Sequence, residues 1–63
     1  FVWHRDKEDR LVEVISGNGW QFQPENCLPL LLEPGVRFKI EEGEYHRLIK
    51  GIDNLQIRIT KLL

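Results

Sequence analysis

Cysteine is nearly absent from this chain, since Cys27 is the only one among its 63 residues. A single cysteine excludes an internal disulfide, and the lack of a Cys-x-x-Cys pair argues against a structural zinc knuckle. A lone cysteine is also typical of proteins in reducing compartments, so we expect a cytoplasmic protein. A chain of this size buries only about 60% of its unfolded surface. Its small core therefore benefits from a further source of stability, and oligomerisation is the common one that remains.

Long apolar runs and an excess of charge of one sign are also missing. The longest apolar run, LPLLL at 28–32, is far shorter than a membrane span and contains Pro29. Nine basic and ten acidic residues are interspersed, and the formal net charge is −1. A nucleic-acid-binding protein usually carries a basic stripe or a basic excess, and this chain has neither. We therefore expect no nucleic acid and no membrane among its partners.

The pattern that is present has a period of two. Apolar and polar residues alternate over four stretches, which are RLVEVISG at 10–17, GWQFQPE at 19–25, GVRFKIEEG at 35–43 and NLQIRITKLL at 54–63. Such alternation predicts half-buried β-strands. In the first stretch Val12 and Val14 share one face, while Leu11 and Ile15 share the other. Pro24 limits the second strand to a few residues or to a sheet edge.

Turn signals separate these stretches at near-regular intervals. They are SGNG at 16–19, PEN at 24–26, EPG at 33–35, EEGE at 41–44 and KGIDN at 50–54. Gly43 offers a backbone conformation that a side chain would strain, so a turn at this point sets the register of the strand that follows. No stretch carries a sustained period of 3.6 residues. Short strands at this spacing indicate an all-β sandwich or barrel.

The stretch GVRFKIEEGEYH resembles the second motif of the cupin family, G-x5-P-x-G-x2-H-x3-N. Gly35, Gly43 and His46 fall on that spacing without gaps. Glu41 stands where the family usually has proline, and Lys50 stands where it usually has asparagine. Neither departure changes the glycine that gives the turn its backbone conformation.

The stretch HRDKEDRLVEVISG is similar to the first cupin motif, G-x5-H-x-H-x3,4-E-x6-G, with its spacing kept. Counting back from Gly17 puts Arg10 at the glutamate, Asp6 at the second histidine and His4 at the first. The opening glycine of the motif would lie before Phe1. Arg10 cannot ligate a metal ion and would favour an anionic ligand instead.

The resemblance implies a metal site made of His4, Asp6 and His46, with Asp6 as a substitute ligand. Two imidazoles and one carboxylate suit a divalent transition metal such as Fe, Mn or Zn. Other interpretations stay open at this point. His46 could be a cavity histidine that is hydrogen-bonded to a neighbour, and the charged stretch 4–10 could be a solvated loop.

The fold that the resemblance implies is an all-β, small cupin-like antiparallel β-barrel or half-barrel of the jelly-roll type. Residues 1–63 would form a single domain. A full cupin has strands before its first motif, so N-terminal strands would be missing here. An edge left open in this way invites pairing with another chain. We therefore expect a homodimer that shares a sheet or buries Trp3, Trp20 and leucine side chains.

Three functions are consistent with this fold. The first is binding of a small molecule, such as a carbohydrate-like ligand, without catalysis, and its site residues would be His46, Arg10, Trp20 and Phe38. The second is a metal-dependent enzyme of the dioxygenase, isomerase or epimerase type, in which the metal set holds the ion. The third is a structural or regulatory dimer. The loss of the motif's glutamate at Arg10 favours binding or structural roles over catalysis, and whether the protein is an enzyme stays open.

Overall fold

The computed structural model describes residues 2–62, which form six strands and no helix. The strands are β1 (Asp9–Ser16), β2 (Gln21–Pro24), β3 (Leu30–Leu31), β4 (Arg37–Ile40), β5 (His46–Ile49) and β6 (Gln56–Leu62). The predicted all-β class is therefore confirmed. Within residues 2–62 there is no helix of the length and apolar character that crossing a bilayer requires.

The strands form two three-stranded antiparallel sheets, with the orders β4-β1-β6 and β3-β2-β5. Among the described residues the two sheets do not join into a closed barrel. Pro24 ends β2 after four residues, as the sequence predicts. β2 is nevertheless the central strand of its sheet rather than an edge, because the proline lies at its last position.

The core joins side chains from both sheets. Its buried apolar members are Val12, Val14, Trp20, Phe22, Leu32 and Ile40. The alternation in β1 is confirmed, because Val12 and Val14 are buried while Leu11 and Ile15 are exposed. Successive side chains of a strand point to opposite faces, so this one pattern decides which face of the first sheet covers the core.

Two features of the fold differ from the sequence pattern. β3 has only two residues, Leu30 and Leu31, and lies directly after Pro29 in a run that shows no alternation. β6 alternates in sequence, yet Ile59 is 45% exposed although it pairs with the buried Val12. The strands of the second sheet have four residues or fewer, whereas β6 has seven. The second sheet is therefore too short to cover the whole inner face of β6.

Candidate metal centre

The backbone brings His4 and His46 together. The two residues form an isolated antiparallel bridge, in which each backbone N–H donates to the other residue's carbonyl at 2.9 Å. Directly opposed residues of an antiparallel pair point their side chains to the same face. The imidazole ring centroids are accordingly 4.3 Å apart and the two Nε2 atoms 3.1 Å apart. Residues from opposite ends of the chain thus become direct neighbours.

Asp6 joins the two rings because it lies two residues beyond His4 on the same extended segment. Its backbone carbonyl accepts a hydrogen bond from the N–H of Gly43 at 3.0 Å, which ties the segment to the turn before β5. One carboxylate oxygen of Asp6 lies 3.4 Å from Nε2 of His46, and the other lies 3.8 Å from Nε2 of His4. Each of the three residues offers a ligand atom within 4.8 Å of the other two. The set predicted as metal ligands is therefore assembled.

Hydrogen bonds to backbone carbonyls determine the tautomer of both rings. Nδ1 of His46 lies 2.8 Å from the carbonyl oxygen of Glu44, and Nδ1 of His4 lies 3.2 Å from that of Val2. A carbonyl can only accept, so each Nδ1 carries the hydrogen and donates it. In two neutral rings both Nε2 atoms then carry a lone pair, and these two atoms repel each other at a separation of 3.1 Å. A cation, either a proton on one ring or a metal ion bound by both, removes this repulsion.

The carboxylate of Asp6 has one oxygen atom without a hydrogen-bond partner in the described part of the chain. This atom, Oδ2, is buried. Leaving a buried polar atom unpaired costs about 1–3 kcal/mol, and more when the group is charged. This orphaned oxygen faces the Nε2 atom of His46. A cation at this point would therefore satisfy Oδ2 of Asp6 and would lie next to the two Nε2 atoms, which contact each other at 3.1 Å.

The separations suit a small divalent ion. Zn–N and Zn–O bonds of about 2.0–2.2 Å in a tetrahedral site place neighbouring ligand atoms about 3.3 Å apart. Here the two Nε2 atoms are 3.1 Å apart, one oxygen of Asp6 lies 3.4 Å from Nε2 of His46, and its other oxygen lies 3.8 Å from Nε2 of His4. With one ligand atom from each residue the set lies within 4.8 Å, so the Asp6 carboxylate would have to turn to bring a single oxygen to an ion held by both rings. Two nitrogens and one oxygen are also the donor types that Zn²⁺ and Fe²⁺ accept with coordination positions left open.

Arg10 lies beside the candidate metal centre, but its guanidinium is already hydrogen-bonded to Glu8. The guanidinium donates two hydrogen bonds to Glu8, at 2.7 and 3.0 Å, and lies 3.5 Å from Asp6. The hydrogen bond from Arg10 lowers the pKa of the Glu8 carboxyl and raises the pKa of Arg10 itself. Two carboxylates and one guanidinium leave one net negative charge beside the rings. Arg10 therefore opposes a metal ion less than its position in the motif predicts, because Glu8 offsets it.

A small cavity adjoins the centre. Its volume is about 100 Å³, and its walls include all three candidate ligands, Arg10 and apolar side chains of both sheets. Phe38 lines this cavity, as predicted, and the Phe22 ring lies 5.3 Å from the ring of His46. His46 is 2% exposed, so any ion would be shielded from bulk water on its side.

Trp20 is not among the side chains that line this cavity. It belongs to the core, and its indole N–H donates to the carbonyl of Asp53 at 2.7 Å. Of the four residues predicted for ligand binding, the structure therefore places His46, Arg10 and Phe38 together and Trp20 elsewhere.

The opposite face of the bridge carries an aromatic and basic cluster that the sequence analysis missed. Trp3 stacks on Tyr45 with ring centroids 5.5 Å apart. The guanidinium of Arg47 lies 4.9 Å from the Trp3 ring, and that of Arg5 lies 5.1 Å from the Tyr45 ring. The signal in the sequence is the alternation itself, because residues 3 and 5 flank the ligands at 4 and 6. We call these four residues the outer cluster.

Comparison of the chain with protein-family models, with curated proteins and with solved structures finds no match. The resemblance to the cupin motifs therefore stays a prediction from the residues and spacings of this chain.

Proposed function

We propose that the protein binds a divalent transition metal ion through His4, Asp6 and His46. The observation that carries this proposal is the close approach of the two Nε2 atoms, which lie 3.1 Å apart. Both rings are held by backbone carbonyls in the tautomer with the hydrogen on Nδ1, and the buried Oδ2 of Asp6 faces the same point. When bound, the ion would supply Lewis acidity and open coordination positions.

We further propose that the two sheets form a reduced cupin-like half-barrel of the jelly-roll type. The support is the path of the N-terminal segment. It pairs with β5 of one sheet at His4 and then enters the other sheet as β1 at Asp9. The two stretches that resemble cupin motifs therefore meet at one place, as the ligand residues of a metal site must.

The size of the cavity favours a very small ligand beside the ion. Pockets for drug-sized ligands have volumes of about 300–1,000 Å³, and one water occupies about 30 Å³ of liquid. A cavity of about 100 Å³ thus holds a few non-hydrogen atoms. This volume favours water, dioxygen or a small anion at the metal over a carbohydrate enclosed between the sheets. Arg10 adds a positive charge, although two of its five N–H donors are already hydrogen-bonded to Glu8.

Titration of the metal-stripped protein tests the proposal. Isothermal titration calorimetry with Zn²⁺, and visible absorption with Co²⁺, should show one ion bound per chain. Asp6→Asn keeps the size of the side chain and removes its charge, so it should weaken binding at least tenfold. Glu41→Gln makes the same change at an exposed turn position and serves as the matched control. A folded wild-type protein that binds neither ion would refute the proposal.

A catalytic role is the second candidate, and the number of ligands favours it. Three protein ligands with a position left open are typical of catalytic zinc sites, whereas structural sites usually have four. The Co²⁺ protein tests whether that position is accessible. Addition of azide should change the visible spectrum if a small anion can reach the ion through the cavity. An unchanged spectrum would indicate that small anions do not reach the ion, and would favour a structural metal over a catalytic one.

A further inference from the structure

β6 presents a long sheet edge. It pairs with β1 on one side, and no strand within residues 2–62 pairs with its other side. Its seven residues make it the longest of the outer strands of the two sheets. Unpaired N–H and C=O groups along such an edge are a template for another strand.

The other sheet edges are short, basic or already occupied. β3 has two residues and follows Pro29. β4 has four residues and carries Arg37 and Lys39. The outer edge of β5 is occupied at His46 by the bridge to the N-terminal segment. Short strands, proline and lysine are the usual means by which proteins block edge-to-edge pairing. β6 also carries two basic residues, Arg58 and Lys61, but it is the longest free edge and contains no proline.

Ile59 marks the part of this edge that needs an apolar neighbour. It pairs with Val12, so it faces the core, and it lines the cavity between the sheets. It is nevertheless 45% exposed, whereas Val12 is 3% exposed. An inward-facing isoleucine with this exposure lacks an apolar neighbour on the outer side of β6.

The hydrogen bonds of β1 show which groups of β6 point outward. The N–H of Val14 donates to the carbonyl of Val36, next to β4, at 2.9 Å. Alternate residues of a central strand bond to opposite neighbours, so Leu11 and Glu13 face β6. Their partners Thr60 and Arg58 use their backbone groups toward β1. The N–H and C=O groups of Ile59 and of the residues two positions away on either side therefore point to the free edge.

We propose that a second copy of this chain pairs with β6 in antiparallel orientation about a two-fold axis through Ile59. The axis places Ile59 opposite the partner's Ile59 on the inner face. It also places Arg58 opposite the partner's Thr60 and Lys61 opposite the partner's Ile57. The result is a continuous six-stranded sheet in which the two isoleucines cover each other at the mouth of the two cavities.

Charge favours this register over its neighbours. An axis through Arg58 would set two guanidinium groups directly opposite each other, and like charges so placed are destabilising. An axis through Thr60 would set Ile59 opposite a lysine. In the proposed register no like charges face each other. Glu13 and Glu8 also lie 3.6 and 3.9 Å from the charged groups of Arg58 and Lys61, which weakens repulsion across the axis.

Sedimentation equilibrium of the whole chain at micromolar to millimolar concentration tests the proposal, which does not depend on the metal. A monomer–dimer equilibrium is expected. A chain with N-methylated Ile59, assembled by chemical ligation at Cys27, loses the outward N–H and keeps the side chain. The dissociation constant of its dimer should rise about tenfold or more. By the same alternation N-methylated Lys39 loses an outward N–H on β4, so it is the matched control and should dimerise normally.

Hydrogen exchange of the unmodified protein gives an independent measurement. The amide of Ile59 should become more protected as the concentration rises, while that of Lys39 should not. A monomer throughout the concentration range, or a dimer weakened by the change at Lys39 and not at Ile59, would overturn the proposal.

Discussion

The outer cluster should control metal affinity although it does not touch the metal site. His4 and Asp6 both lie on the N-terminal segment, which docks on β5 through one backbone bridge and through the stacking of Trp3 on Tyr45. Trp3→Ala removes that stacking and the contact of Arg47 with the Trp3 ring. The ligands themselves stay unchanged, so any loss of affinity reports on how well the segment is held.

The magnitude follows from the two contacts that are lost. An aromatic pair contributes about 0.5–1.5 kcal/mol and an exposed cation–π contact about 0.5–1 kcal/mol, so docking weakens by about 1–2.5 kcal/mol. At 1.36 kcal/mol per factor of ten, this corresponds to about 5-fold to about 70-fold. Because apparent affinity falls with the fraction of molecules in the binding-competent state, this range is the upper limit of the loss.

Co²⁺ titration followed by visible absorption measures the effect, with Trp3→Phe as the control that keeps an aromatic ring over Tyr45. We expect Trp3→Phe to lie close to wild type and Trp3→Ala to bind more weakly. The number of ions bound at saturation should stay the same in both variants. A folded Trp3→Ala protein with wild-type affinity would show that the backbone hydrogen bonds of His4 and Asp6 position these residues without the stacking, and the reasoning would be wrong.

Three further predictions concern stability and are measured by urea or thermal unfolding. Leu32→Ala should lower the free energy of unfolding by about 2–5 kcal/mol because Leu32 is fully buried. Leu31→Ala should have a small effect since Leu31 is 46% exposed. Similar losses in the two variants would refute the packing argument. Gly51→Ala should destabilise the protein more than Gly43→Ala does. A Cβ at Gly51 would overlap backbone atoms and the Trp20 ring, whereas a Cβ at Gly43 would meet open space. The reverse order would show that the positive φ of Gly43 matters more than these overlaps. In metal-free protein Glu8→Gln should lower stability at neutral pH, because the lowered pKa of Glu8 stabilises the fold above the ordinary value of 4.5. That contribution disappears as the pH falls through the lowered pKa, so a difference that persists in strong acid would contradict it.

Local pattern was enough to predict most of the fold. The period of two located β1, β2, β4 and β6 and identified Val12 and Val14 as the buried face of β1. Gly43, with a φ of +77°, ends the turn from which β5 starts. The two residues of β3 were missed because a strand so short has no period to detect. The exposure of Ile59 was missed as well, since it depends on how far a different sheet extends.

The candidate metal centre was likewise predicted in part from the sequence and decided in part by the tertiary structure. The resemblance to the cupin motifs predicted His4, Asp6 and His46 as a set, and the period of two added that His4 and Asp6 point the same way on one strand. Only the tertiary structure decided that the rings meet, since the bridge between positions 4 and 46 is a contact between distant parts of the chain. It also decided that Glu8 binds the charge of Arg10 and that the cavity is small. Periodicity determines which way a side chain points, but distances between side chains depend on how the strands pack.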